Sequence, residues 1–117
     1  MNKRQLAFAR NDSMRLLDPM QRRPKGCVRI NIGNEKTRDE HFKHELAKFK
    51  LCWQLACEGK EYVTEAVFLN GKRADIFVLD TGDVIEVLHS ETKEMAKKKI
   101  ADYPVNHVIL IDSKEVI

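Results

Sequence analysis

Residues 61–90, EYVTEAVFLN GKRADIFVLD TGDVIEVLHS, decide how the rest of this chain is read. Three runs rich in Val, Ile, Thr and Phe, at Tyr62–Leu69, Arg73–Leu79 and Val84–His89, are separated by Asn70-Gly71 and by Asp80-Thr81-Gly82-Asp83. Asn-Gly tolerates positive φ at both positions and is the strongest short hairpin signal, so the stretch predicts an antiparallel meander. If Thr81-Gly82 centre the second turn, Phe77 faces Glu86 and Asp75 faces Leu88. Opposed side chains share a face and the strand period is two, so Asp75 and Glu86 become diagonal neighbours on one face, roughly 7–8 Å apart. The same rule applied to Asn70-Gly71 puts Asp75 opposite the small Ala66 and turns Glu65 to the other face.

The chain has 117 residues, 43% hydrophobic and 33% charged, which predicts one globular domain with one core. It contains no apolar run long enough to cross a bilayer and opens on no secretory signal, so a soluble, cytoplasmic protein is expected. Cys27, Cys52 and Cys57 are odd in number and lack C-x-x-C spacing, which argues against a disulfide framework or zinc ribbon and for free buried thiols. Residues 1–25 carry seven Lys or Arg against Asp12 and Asp18, a net +5; the remainder carries fourteen basic and sixteen acidic residues, a net −2. A basic arm on a mildly acidic body is a common footprint for phosphate backbones, and equally that of a solvated tail.

Residues 1–26 read as a basic, partly flexible arm, with a weak helical pattern over Lys3–Leu17 and a linker at Arg22-Arg23-Pro24-Lys25-Gly26. The domain proper is expected over residues 27–117. Cys27–Ile32 alternates as a half-buried strand or extended arm. Thr37 with Glu40 forms a capping-box pattern that opens a helix to about Glu58, with Gly59 as its stop. Phe42, Leu46, Phe49, Trp53 and Ala56 recur at helical spacing and are expected to face the core, with Glu45 on the edge of that stripe. After the meander, Ser90 is expected to cap a helix over Glu91–Asp102, and Val105–Asp112 to form a strand buried on both faces, parallel to the third strand. The expected fold class is therefore α/β: an α-β-β-β-α-β core with a mixed four-stranded sheet flanked by helices.

Helix with Glu45, then Arg73-Ala74-Asp75, a tight turn, and Ile85-Glu86-Val87, in that element order, resembles the PD-(D/E)XK nuclease superfamily over roughly residues 37–112. The likeness is to small archaeal or viral nuclease-like proteins, competence-type nucleases and Holliday-junction resolvases. It implies a restriction-endonuclease-like fold and a DNA endonuclease dependent on Mg²⁺ or Mn²⁺. It also implies that Asp75 and Glu86 hold the metal with the Val87 carbonyl, that Glu45 assists, and that the chain is a homodimer. Divalent magnesium accepts one or two carboxylates plus water and phosphate, and lowers the pKa of its water. The departure is Leu88, which stands where the family has a lysine that stabilises developing charge. Arg73, Lys93, Lys97 or, more weakly, Lys72 would have to replace it; otherwise the chain is an inactive module that binds nucleic acid or a protein partner.

Candidate nucleic-acid contacts are Arg22, Arg23, Lys25, Lys97 and Lys98. Blander readings suit the rest: His89 as structural or surface, His41 and His44 as polar helix surface, and Trp53 as core. There is no Gly-rich phosphate loop, and Ser, His and Asp do not form a recognisable triad context.

Overall fold

The computed structural model describes residues 1–89 and 91–116. The expected cap at Ser90 lies outside the described residues. Nine segments follow in order: α1 (Lys3–Met14), a 3₁₀ turn (Pro19–Gln21), α2 (Arg38–Cys57), β1 (Tyr62–Val67), β2 (Arg73–Val78), β3 (Asp83–Leu88), α3 (Lys93–Ile100), β4 (Val108–Asp112) and α4 (Ser113–Val116). The strands form one mixed sheet in the order β1-β2-β3-β4, with β4 parallel to β3 and the other neighbours antiparallel. The chain is thus α/β with a four-stranded mixed sheet and helices. Among the described residues no helix is long and apolar enough to cross a membrane.

Both hairpin registers differ from those the turns suggested. Phe68 N–H bonds the Lys72 carbonyl and Gly71 N–H bonds the Phe68 carbonyl, so the first loop is Leu69-Asn70-Gly71, with Gly71 at φ 84°. This is the three-residue loop in which a type I turn is followed by a left-handed residue, not a two-residue turn. Pairing shifts by one residue: Ala66 faces Ala74, and Glu65 falls opposite Asp75. The second loop is longer, with Gly82 N–H on the Val78 carbonyl. Ile76 faces Ile85 and Phe77 faces Val84, a shift of two that preserves the alternation and brings Asp75 level with Glu86.

The alternation itself slips beside Asp75. Val63 and Ala66 lie in one core cluster with Ala74 and Phe77, three residues apart instead of two or four. Glu65 takes up the slip at φ 52°, a left-handed conformation that a side chain makes costly.

The sheet's two faces have different cover. Val63, Phe68, Phe77, Leu79 and Val84 pack under Met14, Leu16, Leu17 and Tyr103. Tyr62, Ile76, Val78 and Ile85 pack under Cys52 and Leu55 of α2. The N-terminal segment is therefore part of the packing. Arg10 pairs with Asp80 at 2.9 Å and with Glu61 at 3.3 Å, and Ser13 Oγ donates to the Leu79 carbonyl at 2.7 Å. Residues 27–32 form no strand. They run as a strap beside β1, held where Arg29 N–H meets Thr64 Oγ1 and Thr64 Oγ1 donates to the Cys27 carbonyl.

Other expectations also change. Only Cys52 is a buried thiol; Cys27 and Cys57 are exposed. Thr37 precedes α2 but its hydroxyl bonds Asn34 N–H, so the capping box does not form. The stop at Gly59 holds: its φ is 72°, with Lys60 N–H returning to the Leu55 carbonyl. Thr92 caps α3, which is shorter than expected. Strand β4 starts at Val108 and lies on the sheet edge, where Ile109 is 43% exposed, so it is not buried on both faces.

The largest correction concerns α2. Phe42, Phe49 and Trp53 are 64%, 43% and 65% exposed, whereas Glu45, Ala47, Lys48, Cys52 and Leu55 are buried. The helix turns its charged row to the sheet and its aromatic row to solvent.

Candidate functional site

Strands β2 and β3 part beyond Ile76 and Ile85, and side chains take over the bonding. Asp75 N–H donates to Glu86 Oε1 at 3.0 Å, and Val87 N–H donates to Asp75 Oδ2 at 2.8 Å. Tyr103 hydroxyl, arriving from the segment after α3, lies 2.6 Å from the Arg73 carbonyl and 3.0 Å from Glu86 Oε1, its single proton shared between the two acceptors. The two carboxyls thus share a half-buried gap. Burial and the charge of Asp75 push the Glu86 carboxyl up to about 8.

Helix α2 supplies the other half. His44 lies between two acids, its Nε2 3.2 Å from Asp75 Oδ2 and its Nδ1 3.1 Å from Glu45 Oε1. Burial opposes its charge, but bonds to Asp75 and Glu45 outweigh that and hold the imidazolium up to about 10. Lys48 is fully buried, paired with Glu45 and, at 3.2 Å, with Glu65 Oε1. Desolvation works against the ions, yet the partners keep Glu45 below the usual carboxylate range and Lys48 above the usual ammonium range. Glu65 joins this cluster because of the slip in β1.

Fully ionised, Glu45, Glu65, Asp75 and Glu86 carry −4 and His44 with Lys48 +2, leaving −2. Burial first, and the charge of Asp75 second, keep a proton on Glu86 up to about 8, so at neutral pH the same six side chains sum to −1. Among the described residues no three His, Cys, Asp or Glu side chains converge as a chelating group. A hard divalent ion that keeps most of its water needs only one or two carboxylates, and Asp75 with Glu86 fits it in donor type and in charge.

The expected site residues divide. His44 joins Glu45 to Asp75, Glu86 meets Asp75 by accepting its N–H, and Val87 enters through its own N–H. Arg73 is exposed and lines a pocket of about 280 Å³ with Arg23, Arg29, Asn31 and Glu65. Lys93, Lys97 and Lys98 are exposed on α3; the neighbouring Lys99 pairs with Glu91 at 2.8 Å and also feels Glu86 and Asp75. Lys72 turns to Asp102 at 3.7 Å. Arg22 is exposed, while Lys25 bonds Glu61 and Arg23 Nε bonds the Glu65 carbonyl. Leu88 is buried core. His89 bonds Ser113.

His44, Lys48, Glu65, Tyr103 and Lys99 had no place in the expected site. The signal for the first two was the spacing of Glu45, Lys48 and Cys52, which marks a second row on α2. No protein-family model, curated protein or solved structure matches the chain.

Proposed function

We propose that this protein is a divalent-metal-dependent nuclease with a restriction-endonuclease-like core, hydrolysing DNA phosphodiester bonds at Asp75 and Glu86. The observation that carries the reading is the meeting of these carboxylates in the gap between β2 and β3, where six ionisable side chains sum to −1 with Glu86 protonated and to −2 once a cation displaces that proton. Asp75 and Glu86 would hold Mg²⁺ or Mn²⁺, which when bound activates water and neutralises phosphoryl charge. Val87 N–H and His44 fix Asp75 through Oδ2 and leave Oδ1 for that role. Tyr103 fixes Glu86 through Oε1 in the same way. Glu45 orients His44 and stands behind it without reaching Asp75.

Phosphate binding is supported by the neighbouring pocket. Arg23 and Arg29 from the strap and Arg73 from β2 line it, and its one acid, Glu65, is engaged by Lys48. Arg73 lies two residues from Asp75, about 6–7 Å along a strand, so a backbone held there passes the carboxylates. Lys99 on α3, paired with Glu91 and within the field of Glu86 and Asp75, is the cation we take to stand in for the lysine missing at Leu88.

The second reading, a nucleic-acid-binding module without chemistry, is favoured by Leu88: the position of the family lysine is apolar and buried. One experiment separates the two. Supercoiled plasmid and a labelled branched duplex are incubated with the protein in Mg²⁺, Mn²⁺ or EDTA. The nuclease cuts only with metal, and Asp75→Ala and Glu86→Ala stop cutting while still binding. No cutting by the parent protein, with binding intact, selects the module. In either case Arg29→Ala and Arg73→Ala each lower the slope of log affinity against log salt by about 1.

A further inference from the structure

The cationic recess beside Asp75 has a wall on the side away from it. β1 is the outermost strand, and the chain before α2 runs along its free edge, tied at four points. Asp18 N–H bonds the Val67 carbonyl at 2.9 Å and Gly26 N–H the Tyr62 carbonyl at 3.0 Å. Arg23 Nε bonds the Glu65 carbonyl at 3.2 Å, and Arg29 N–H the Thr64 hydroxyl at 3.0 Å. The backbone of Asn31 then bonds the Glu45 carboxylate on α2. A DNA strand that leaves Asp75, passes Arg73 and crosses Glu65 meets this wall. Glu65 serves both sides of the recess from its left-handed conformation, with its carbonyl on Arg23 and its carboxylate on Lys48. Backbone strain of this kind clusters at ligand clamps. Arg29 and Arg73 have no acidic partner among the described residues.

We propose that the recess lined by Arg23, Arg29 and Arg73 seats a terminal phosphate, the monoester dianion at a DNA end, so that strands are cut from phosphorylated ends. The binding of DNA and its cutting both rest on the nuclease reading. A monoester carries close to two charges at neutral pH and three terminal oxygens, whereas a diester carries one charge and two such oxygens. Three guanidinium forks suit the monoester, since each can engage two oxygens at once. Arg73 and Asp75 are about 6–7 Å apart along β2, on the order of the spacing of successive phosphates in one strand. A phosphate seated on the arginines therefore sets the next phosphodiester at Asp75 and Glu86. Water adds to the phosphorus of that bond, the bond from phosphorus to one sugar oxygen breaks, and the proton lost by the water ends on that oxygen.

The test uses one oligonucleotide in four forms: 5′-phosphorylated, 3′-phosphorylated, hydroxyl at both ends, and ligated into a circle. Binding to the full chain is measured in EDTA, and cutting in Mn²⁺. One phosphorylated form is expected to bind about tenfold tighter than the hydroxyl form, and to be cut while the circle is spared. Millimolar inorganic phosphate or a deoxynucleoside monophosphate should remove that advantage. Arg29→Ala and Arg73→Ala should each shrink it to about twofold or less, and Arg29→Lys, which keeps the charge but loses the fork, should fall between. Lys114→Ala, exposed on α4, should retain it in full. Equal binding of phosphorylated and hydroxyl forms, or an advantage that survives both alanine variants, would overturn the proposal. So would binding of the free monophosphate with no preference among DNA ends, which marks a site for mononucleotides alone. If no form is cut but the preference persists in EDTA, the recess is an end-binding site and the nuclease reading falls. If circle and linear forms are cut alike, the nuclease reading stands and the end assignment falls.

Discussion

One helix, α2, shows two faces built on opposite rules. Toward the sheet it buries Glu45 and Lys48 beside Cys52 and Leu55; toward solvent it exposes Phe42, Phe49 and Trp53. A helix that only had to cover the sheet would do the reverse. Burying an ion pair costs desolvation that its attraction barely offsets, so apolar residues of similar size are often as good or better for stability. The inward charges are therefore better explained by the gap they border: His44 bridges Glu45 to Asp75, and Lys48 bridges Glu45 to Glu65, so the acids beside the gap stand in a chain of alternating charge. The outward aromatics contribute little to the cover of the sheet.

The strongest way to break this contrast is to remove Lys48. Lys48→Met leaves Glu45 and Glu65 facing each other without their cation, and should cost about 3–5 kcal/mol of unfolding free energy in urea. Lys48→Met with Glu45→Gln should recover most of it. If Lys48→Met alone were neutral, the row would be solvated rather than part of a buried cluster.

Next in size is the pH dependence of the metal-free protein. Glu86 holds its proton in the fold up to about 8, above the usual carboxylate range, so its contribution is present in acid and lost as pH rises from about 4.5 through 8. His44 is held charged up to about 10, so its contribution is full below about 6.5 and lost as pH rises towards 10. Both act in one direction: melting temperature in EDTA should fall from pH 5 to pH 10. Glu86→Gln should flatten the part below pH 8. Millimolar Mg²⁺ should raise the melting temperature of the parent at pH 8 and leave Asp75→Asn unmoved. A stability that rose with pH across this range would contradict the carboxylate geometry.

What the sequence disclosed follows from which signals are local. The three strands, the stop at Gly59 and the crossover to a parallel β4 rest on turn residues and strand composition, and they hold. The registers do not, because Asn70-Gly71 also suits a three-residue loop, and nothing local announces the left-handed Glu65. Asp75 and Glu86 nevertheless meet, since a shift of two in the second hairpin preserves alternation. The face of α2 was misread for a different reason. The helix carries two rows at helical spacing, and hydrophobicity alone favours the aromatic one. Only the gap between β2 and β3, a tertiary feature, makes the Glu45–Lys48 row the inner one.

The smallest expected effect sharpens the contrast most. Trp53→Ser should change unfolding free energy by no more than about 0.5 kcal/mol, as at a surface position. A core tryptophan would cost several times that. A large loss of stability would mean that Trp53 packs within its own fold. A small loss means that the ridge contributes almost nothing to the fold, whose stability then rests on the inner row of α2 and the sheet.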